Sequence, residues 1–189
     1  MRVQPTALAG VMQLVPEPQR DERGAFVRLH CPSEFDAAGI PFVPAQTSLS
    51  RNPVLGTLRG LHYQPAPYGE VKLVRAVRGC IYDVALDLRP QSGTFGRWTA
   101  AELSAENMLA VLIPEGVAHG FITLEPNTDV LYQISPMFTP GRSSGVRWND
   151  PAFKIRWPLE PTSISDRDAS YAAFRPGEPT PNLTFPREA

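Results

Sequence analysis

The 189-residue sequence is poor in cysteine and has no long apolar run. Cys31 and Cys80 are too few for a disulfide framework, and we expect both to be buried thiols. No apolar stretch is long enough to cross a bilayer, and the N-terminal "ALAGVMQLV" lacks the flanks of a clean signal peptide. The sequence therefore predicts a cytoplasmic protein with no membrane partner.

Neither positive nor negative charge is in large excess. The chain has 18 basic and 19 acidic residues, and like charges do not cluster in runs. A protein that tracks nucleic acid would be expected to carry a basic face or stripe. We therefore expect no nucleic-acid partner.

Histidine is scarce, which limits the metal sites that the chain could build. His30, His62 and His119 are the only three, with no HxH pair and no HExxH motif. A three-histidine centre would need all of them, including His30 in the poorly placed "RLHC". We expect no metal, which argues against a metal-dependent oxygenase or isomerase.

Short β-type segments bounded by turn residues dominate what is present. "GAFVRLHC", "VKLVRAVRGCIYDVALDLR", "HGFITLE" and "DVLYQIS" alternate or run apolar, and Gly79 marks a bend inside the longest of them. Helical periodicity is confined to "CPSEFDAAG" and "SISDRDASYAAF". The pattern predicts an all-β sandwich or small barrel with a few short helices. We expect one domain over residues 1–174 and a Pro-rich tail over residues 175–189.

The segment "LRGLHYQ" places two polar side chains in a predicted strand. Strict alternation would put Arg59 and His62 on opposite faces of the sheet. If both reach one pocket, the strand must bulge or twist near Gly60. We predict that irregularity.

His62 has two interpretations from sequence alone. A lone histidine in a strand is often a core residue bonded to a carbonyl, but it could also act as a general base. A base needs a carboxylate to orient its ring, and none is adjacent in sequence. Six aspartates are formally available: Asp83, Asp87, Asp129, Asp150, Asp166 and Asp168.

Three further residues have a structural and a chemical interpretation. Lys72 is either a strand-edge lysine that reaches water or a fixed cation beside developing negative charge. Tyr132 is either a half-buried aromatic with a bonded hydroxyl or a proton donor. Asp168 has capping-box spacing from Ser165, so it could simply begin a helix.

Six motifs in order give the chain a family resemblance: "DERGAFVRL", "LRGLHYQ", "KLVRAVRGCIYDVALDLR", "SGTFGRW", "IPEGVAHGF" and "GVRWNDP". Over roughly residues 1 to 170 the sequence resembles the dTDP-4-dehydrorhamnose 3,5-epimerase family. The resemblance implies a cupin-like jelly roll, a homodimer that exchanges an N-terminal strand, and a cofactor-independent isomerase. The implied substrate is a nucleotide-linked 4-keto-6-deoxyhexose in deoxysugar biosynthesis, inverted at C3, C5 or both.

The resemblance also implies roles for four residues. His62 would be the base, Asp168 would hold its ring, Lys72 would face the C4 oxygen, and Tyr132 would return a proton from the opposite side. A jelly roll that binds the sugar nucleotide without turnover is the alternative. The presence of all four residues favours the enzyme.

The family's substrate-binding positions match less completely. Six positions fit the family's contacts to diphosphate, sugar or pocket rim: Arg23, Phe26, Gln46, Arg59, His119 and Arg167. Four positions at the nucleotide end depart from its pattern: Arg28, Ser48, Phe138 and Ser143.

Arg28 is the most disruptive departure. The family's glutamate at that position accepts a hydrogen bond from thymine, whereas a guanidinium only donates. A donor would suit cytosine or guanine better, so the sequence leaves open a CDP- or GDP-linked substrate. The alternative is that Arg28 turns outward and only touches phosphate.

Overall fold

The computed structural model describes residues 1–175, so nearly all of the predicted tail lies outside the described residues. The N-terminal half contains β1 (Arg2–Pro5), β2 (Met12–Val15), β3 (Gln19–Asp21), β4 (Gly24–Phe26), α1 (Pro32–Ala37), β5 (Gln46–Asn52), β6 (Thr57–Tyr63), β7 (Val71–Arg78) and β8 (Cys80–Asp87). The remainder contains β9 (Trp98–Ser104), β10 (Ala110–Ile113), β11 (Val117–Thr123), β12 (Thr128–Ser135), β13 (Ser144–Gly145), β14 (Ser163–Ile164) and α2 (Asp166–Ala169).

Two six-stranded sheets pack face to face. The first sheet has the order β1-β2-β10-β7-β12-β5, and every neighbouring pair is antiparallel. The second has the order β13-β6-β11-β8-β9, with β14 parallel to β6. The predicted all-β jelly roll is therefore confirmed.

Alternation along the strands divides the core into layers. On β7, Val74 points into the cluster between the sheets, whereas Leu73 packs outward against Phe35 of α1. On β8, Ala85 points inward, whereas Val84 packs outward beneath the chain that follows β13. The two outer layers leave the space between the sheets for the inward-facing residues, including any polar ones.

The longest predicted strand is divided at Gly79, as expected. Gly79 has φ +69°, and a Cβ there would lie 2.3 Å from Thr128 Oγ1. A side chain is excluded at this corner for both reasons. The bend sends β7 into the first sheet and β8 into the second.

Several local expectations were wrong. Within "GAFVRLHC" only Gly24–Phe26 is strand, because the hairpin ends there and Arg28 turns to Glu34 of α1 instead of continuing a ladder. Cys31 and Cys80 are free and only partly buried, since both lie at the ends of elements. The predicted second helix is a single turn. Within residues 1–175 no helix is long and apolar enough to span a membrane.

Candidate active site

A bulge in β6 brings two polar side chains to the same end of the space between the two sheets. We call this end of the space the cleft. Against β11, His62 faces His119, whereas Arg59 faces Phe121, so two residues of β6 occupy the space of one on its neighbour. Such a bulge restores a common side for residues three apart. Arg59 donates from Nε to the Asn52 Oδ1, 2.8 Å away on the facing sheet. The irregularity predicted near Gly60 is confirmed.

Gly60 is the residue that permits this bulge. Its φ is +122°, and a Cβ there would lie 2.5 Å from the Gly120 Cα and 2.8 Å from the His119 carbonyl oxygen. The two glycines thus allow β6 and β11 to approach closely at the point where the register shifts. On either side of Gly60, Leu58 and Leu61 are buried in the core.

His62 is paired with Asp168. The ring Nε2 lies 2.6 Å from Asp168 Oδ1, and Asp168 Oδ2 accepts a 3.0 Å hydrogen bond from the Gly60 N–H. A carboxylate offers acceptors, so Nε2 carries the proton of the neutral ring and Nδ1 carries the lone pair. The pair can therefore accept a proton at Nδ1.

The single turn of α2 positions this carboxylate. Ser165 caps the helix by accepting a 3.1 Å hydrogen bond from the Asp168 N–H, as the sequence spacing predicted. The Asp168 side chain does not complete a capping box, because its two oxygens are directed to β6. Asp168 is only 3% exposed. Of the six aspartates left open by the sequence, this one orients His62.

The pKa values of the pair are set by opposing effects. Burial lowers the pKa of His62, and the hydrogen bond and charge of Asp168 only partly offset it. For Asp168, burial alone would raise the pKa of the carboxyl, but the bonds from His62 and Gly60 and the charge of Arg167 lower it overall. Both shifts favour a neutral imidazole beside an ionised carboxylate at neutral pH.

Lys72 is buried rather than extended to water. Its Nζ lies 2.6 Å from Glu70 Oε1 and donates to the His62 carbonyl oxygen at 3.3 Å. Its positive charge also contributes to the lowered pKa of His62. The interpretation of Lys72 as an edge lysine that reaches water is therefore wrong. The side chain instead holds a paired ammonium group beside His62.

Tyr132 approaches from the other sheet. It shares the inner face of β12, and its ring centroid lies 5.8 Å from that of His119 in an edge-to-face arrangement. Burial raises the pKa of the phenol well above its usual range; Asp83 raises it further and Arg59 opposes the rise. The phenol is therefore kept protonated, as a proton donor must be before it reacts.

A second imidazole–carboxylate pair lies beneath Tyr132. His119 Nε2 is 2.6 Å from Asp83 Oδ1, and both side chains are almost fully buried, at 4% and 1% exposed. Asp83 was considered only as a partner for His62. Its inward position on β8, in alternation with outward Val84, was the sequence signal for a buried polar contact.

Three predicted binding residues lie at the same end of the first sheet. Ser48 pairs directly with Tyr132 across β5 and β12, so their side chains share one face, and Gln46 lies two residues along that face. Gln46 Oε1 accepts a 2.9 Å hydrogen bond from the Phe138 N–H, and Phe138 remains 43% exposed. An aromatic face is thus available beside the cleft.

Arg167 and Ser143 meet on the other side of His62. The Arg167 Nη2 donates to the Ser143 Oγ at 3.1 Å, and its Nε donates to the Tyr171 hydroxyl at 3.0 Å. Arg167 is close enough to His62 to oppose protonation of the ring. The departure at Ser143 therefore provides a hydroxyl acceptor for the guanidinium.

The remaining three predicted binding residues are separate from this cleft. Arg23, Phe26 and Arg28 lie on or just after the β3–β4 hairpin, which pairs with no other strand among residues 1–175. Arg23 pairs with Asp21, and Arg28 Nη1 lies 2.9 Å from Glu34 Oε1. Within one chain the two arginines form their ion pairs with these neighbours and not with the cleft side chains described above.

Glu70 is a cleft residue that the sequence analysis missed. It precedes β7 in the turn "YGEVK", where a glutamate usually faces water. The available signal was its spacing of two from Lys72, which places both on one face of an extended chain. Within residues 1–175 no cluster of three or more histidine, cysteine or acidic side chains could hold a metal ion.

Comparisons with known proteins give consistent matches. The family model for dTDP-4-dehydrorhamnose 3,5-epimerase matches residues 5–176. The dTDP-4-dehydrorhamnose 3,5-epimerase of Methanothermobacter thermautotrophicus is 42% identical over 176 residues, covering 90% of this chain and 92% of that protein. The dTDP-4-dehydrorhamnose 3-epimerase of Streptomyces niveus is 36% identical over 169 residues, covering 89% and 81%.

A solved structure agrees in three dimensions. The crystal structure of dTDP-4-dehydrorhamnose 3,5-epimerase from Bacillus anthracis, with TDP and PPi bound, matches with a TM-score of 0.89 at 36% identity. The match covers 92% of this chain and 99% of that one. The fold and the cleft define an isomerase built on a jelly roll. The chain belongs to the dTDP-4-dehydrorhamnose 3,5-epimerase family, which confirms the resemblance read from its six motifs.

Proposed function

We propose that this protein epimerises a dTDP-linked 4-keto-6-deoxyhexose at C3, C5 or both, in deoxysugar biosynthesis. The observation that carries the proposal is the 2.6 Å pair of His62 and Asp168 on one sheet, with Tyr132 on the inner face of the opposite sheet. A non-catalytic binding protein would not need a base and an acid on opposing walls. Membership of an isomerase family supports the same conclusion.

The chemistry follows from the ketone. A proton on the carbon beside a carbonyl is removed only if a base lies over the C–H bond and the enolate oxygen is stabilised. His62 Nδ1 accepts the proton, Asp168 stabilises the imidazolium, and the Lys72 ammonium donates to the developing oxyanion. Tyr132 then protonates the carbon from the other side, which inverts it.

Deuterium incorporation tests this proposal. In heavy water the wild-type protein is expected to introduce solvent deuterium into the 4-keto-6-deoxy sugar nucleotide. Mass spectrometry measures the deuterium incorporated. His62→Ala should abolish the exchange. His30→Ala is the matched control, because His30 packs against Phe35 and Phe42 outside the cleft. Absence of exchange by the folded wild-type protein would contradict the proposal.

The same experiment reports which carbons exchange a proton, and the configuration of the isolated product reports which of them are inverted. The Streptomyces niveus relative is named a 3-epimerase and the Methanothermobacter relative a 3,5-epimerase, so the family contains both outcomes. Deuterium at C3 alone would indicate proton exchange at one carbon, and deuterium at both C3 and C5 would indicate exchange at two. NMR assignment of the labelled positions completes the measurement.

We propose dTDP as the nucleotide despite the departure at Arg28. The guanidinium is directed to Glu34, so the Glu34 carboxylate competes with a cytosine or guanine edge for its donors. Phe138 retains an exposed aromatic face for stacking on a base. Titration with dTDP, CDP and GDP tests the choice, and tightest binding of CDP or GDP would overturn it.

We also infer a homodimer in which the β3–β4 hairpin completes the partner's cleft. The hairpin has three exposed residues in each strand and carries Arg23 and Phe26, which is 73% exposed. The β5 strand is an open edge of the first sheet and lies beside Tyr132. An unpaired hairpin and an open edge are complementary features for exchange between two copies.

Subunit mixing distinguishes this arrangement from a monomeric site. Arg23→Ala and His62→Ala proteins should each be inactive at low substrate concentration. If Arg23 acts on the partner's cleft, mixed dimers contain one intact site, and co-refolding should restore about a quarter of wild-type activity. No recovery, or a monomer in sedimentation velocity, would contradict the inference. The single domain over residues 1–174 and the cytoplasmic location stay predictions.

A further inference from the structure

The Lys72 ammonium group has most of its hydrogen-bonding capacity already committed. One contact goes to Glu70 Oε1 at 2.6 Å and another to the His62 carbonyl oxygen at 3.3 Å. An ammonium group has three N–H donors in a fixed tetrahedral arrangement about Nζ. With two directed to the protein, the direction of the third is determined by the positions of Glu70 and the β6 backbone.

Glu70 is itself held in place by a buried neighbour. Gln64 Nε2 donates to Glu70 Oε2 at 3.0 Å, and Gln64 is only 1% exposed. The carboxylate fixes the orientation of this amide, since the opposite orientation would set oxygen against oxygen. Among the described residues, Gln64 Oε1 is then buried without a partner. An unpaired buried acceptor is unfavourable, so this arrangement secures the carboxylate at a cost to stability.

The burial of the pair makes its geometry rigid. The Lys72 and Glu70 side chains are 9% and 7% exposed, so neither can exchange its partner for water without moving. Removal of one member of a buried ion pair leaves an uncompensated charge. The carboxylate therefore determines where the ammonium group sits relative to His62.

We propose that Glu70 is a positioning residue that aims the free N–H of Lys72 at the enolate oxygen of the substrate. The inference rests on the proposed function, in which Lys72 stabilises that oxygen. Glu70 does not touch the substrate; it acts through Lys72, with Gln64 behind it. The effect of Glu70 on the rate should accordingly disappear when Lys72 has no ammonium group.

A double-mutant cycle tests this dependence. Glu70→Gln keeps the shape of the side chain and removes its charge, and Lys72→Met removes the ammonium group while keeping the chain length. In wild-type background, Glu70→Gln should lower kcat for deuterium exchange roughly 10- to 100-fold with KM changed less than about threefold. In Lys72→Met background the same substitution should change kcat by less than about twofold. Glu106→Gln, at an exposed site, is the matched control.

Each result has one meaning. An equal loss in both backgrounds, or a Glu70→Gln protein with wild-type kcat, would overturn the inference while leaving the epimerase proposal intact. Absence of exchange by wild-type protein would overturn both. If Glu70→Gln fails to fold, Glu70→Asp keeps the buried charge but shortens its reach. Its kcat loss should vanish in the Lys72→Met background in the same way.

Discussion

His62 and His119 face each other on neighbouring strands, and each presents Nε2 to a different carboxylate at 2.6 Å. The two pairs differ in access. The His62 side chain is 31% exposed and opens to the cleft, whereas that of His119 is 4% exposed and packs beside Tyr132. Of the two rings, that of His62 is the more accessible, and this difference supports our proposal that His62 is the base.

Replacement of Asp168 by asparagine should impair the orientation of the His62 ring while leaving the fold intact. Without the carboxylate, nothing stabilises the imidazolium or selects the tautomer with its lone pair on Nδ1. We expect kcat to fall by about 10²- to 10⁴-fold, the range seen when a base loses its orienting group. Asp166→Asn, two residues earlier in the same helical turn and exposed, should retain wild-type kcat. Equal activity of the two variants would contradict the role of Asp168.

The pH dependence should follow the lowered pKa of His62. A base must be neutral to act, so kcat/KM falls as the pH drops through that pKa. Because burial lowers it, the acidic limb should lie below the ordinary histidine value of about 6.5. Loss of Asp168 removes the group that opposes the shift, so the limb should move lower still in Asp168→Asn. A wild-type limb at or above about pH 7 would contradict this account, provided circular dichroism shows a folded protein throughout.

Tyr132→Phe should uncouple proton removal from inversion. His62 and Lys72 are unchanged in this variant, so exchange of the acidic proton with heavy water should continue. Return of a proton from the opposite side should fail, and we expect epimer formation to drop by about 10²-fold or more. Tyr82→Phe, whose ring packs on Trp157 at the outer layer, is the control for loss of a hydroxyl. Parallel loss of exchange and inversion would argue against Tyr132 as the acid.

Gly60→Ala should destabilise the fold and the site together. The added Cβ would meet the Gly120 backbone at 2.5 Å, in a conformation with φ +122° that alanine strongly disfavours. We expect a loss of about 2–4 kcal/mol in the free energy of unfolding by urea. Gly93→Ala, with no atom within 4 Å of the new Cβ, should change the free energy by less than about 0.5 kcal/mol. Similar free energies of unfolding for the two variants would show that the fold does not require glycine at position 60.

The strands that the sequence predicted are those with buried alternation. β7, β8, β11 and β12 lie within the sheets and carry apolar residues on a buried face, so their pattern was visible. β5 is an edge strand with the mostly exposed sequence "QTSLSRN", and its single apolar residue, Leu49, is exposed, so no apolar alternation marked it. Edge strands are specified by backbone pairing more than by burial, which a single sequence does not display.

The site was predictable where chemistry demanded a residue type, and less so where it depended on folding. Histidine as a base and tyrosine as an acid could be named from their strands and the family resemblance. The choice of Asp168 among six aspartates rested on resemblance alone, because the contact spans 106 residues. Glu70 was missed because a charged residue in a turn is normally solvated, and its burial depends on Gln64 and Lys72 packing around it.

The distance along the chain between His62 and its carboxylate has a consequence for biosynthesis. Once residue 135 has been synthesised, the first sheet has all its strands and the second sheet lacks only the two-residue strands β13 and β14. His62 still lacks its carboxylate partner, Asp168. A ribosome-bound chain, or a fragment, that ends before Ser165 lacks the carboxylate that orients His62. The proposed base is therefore completed by a segment that is translated after every strand of the first sheet.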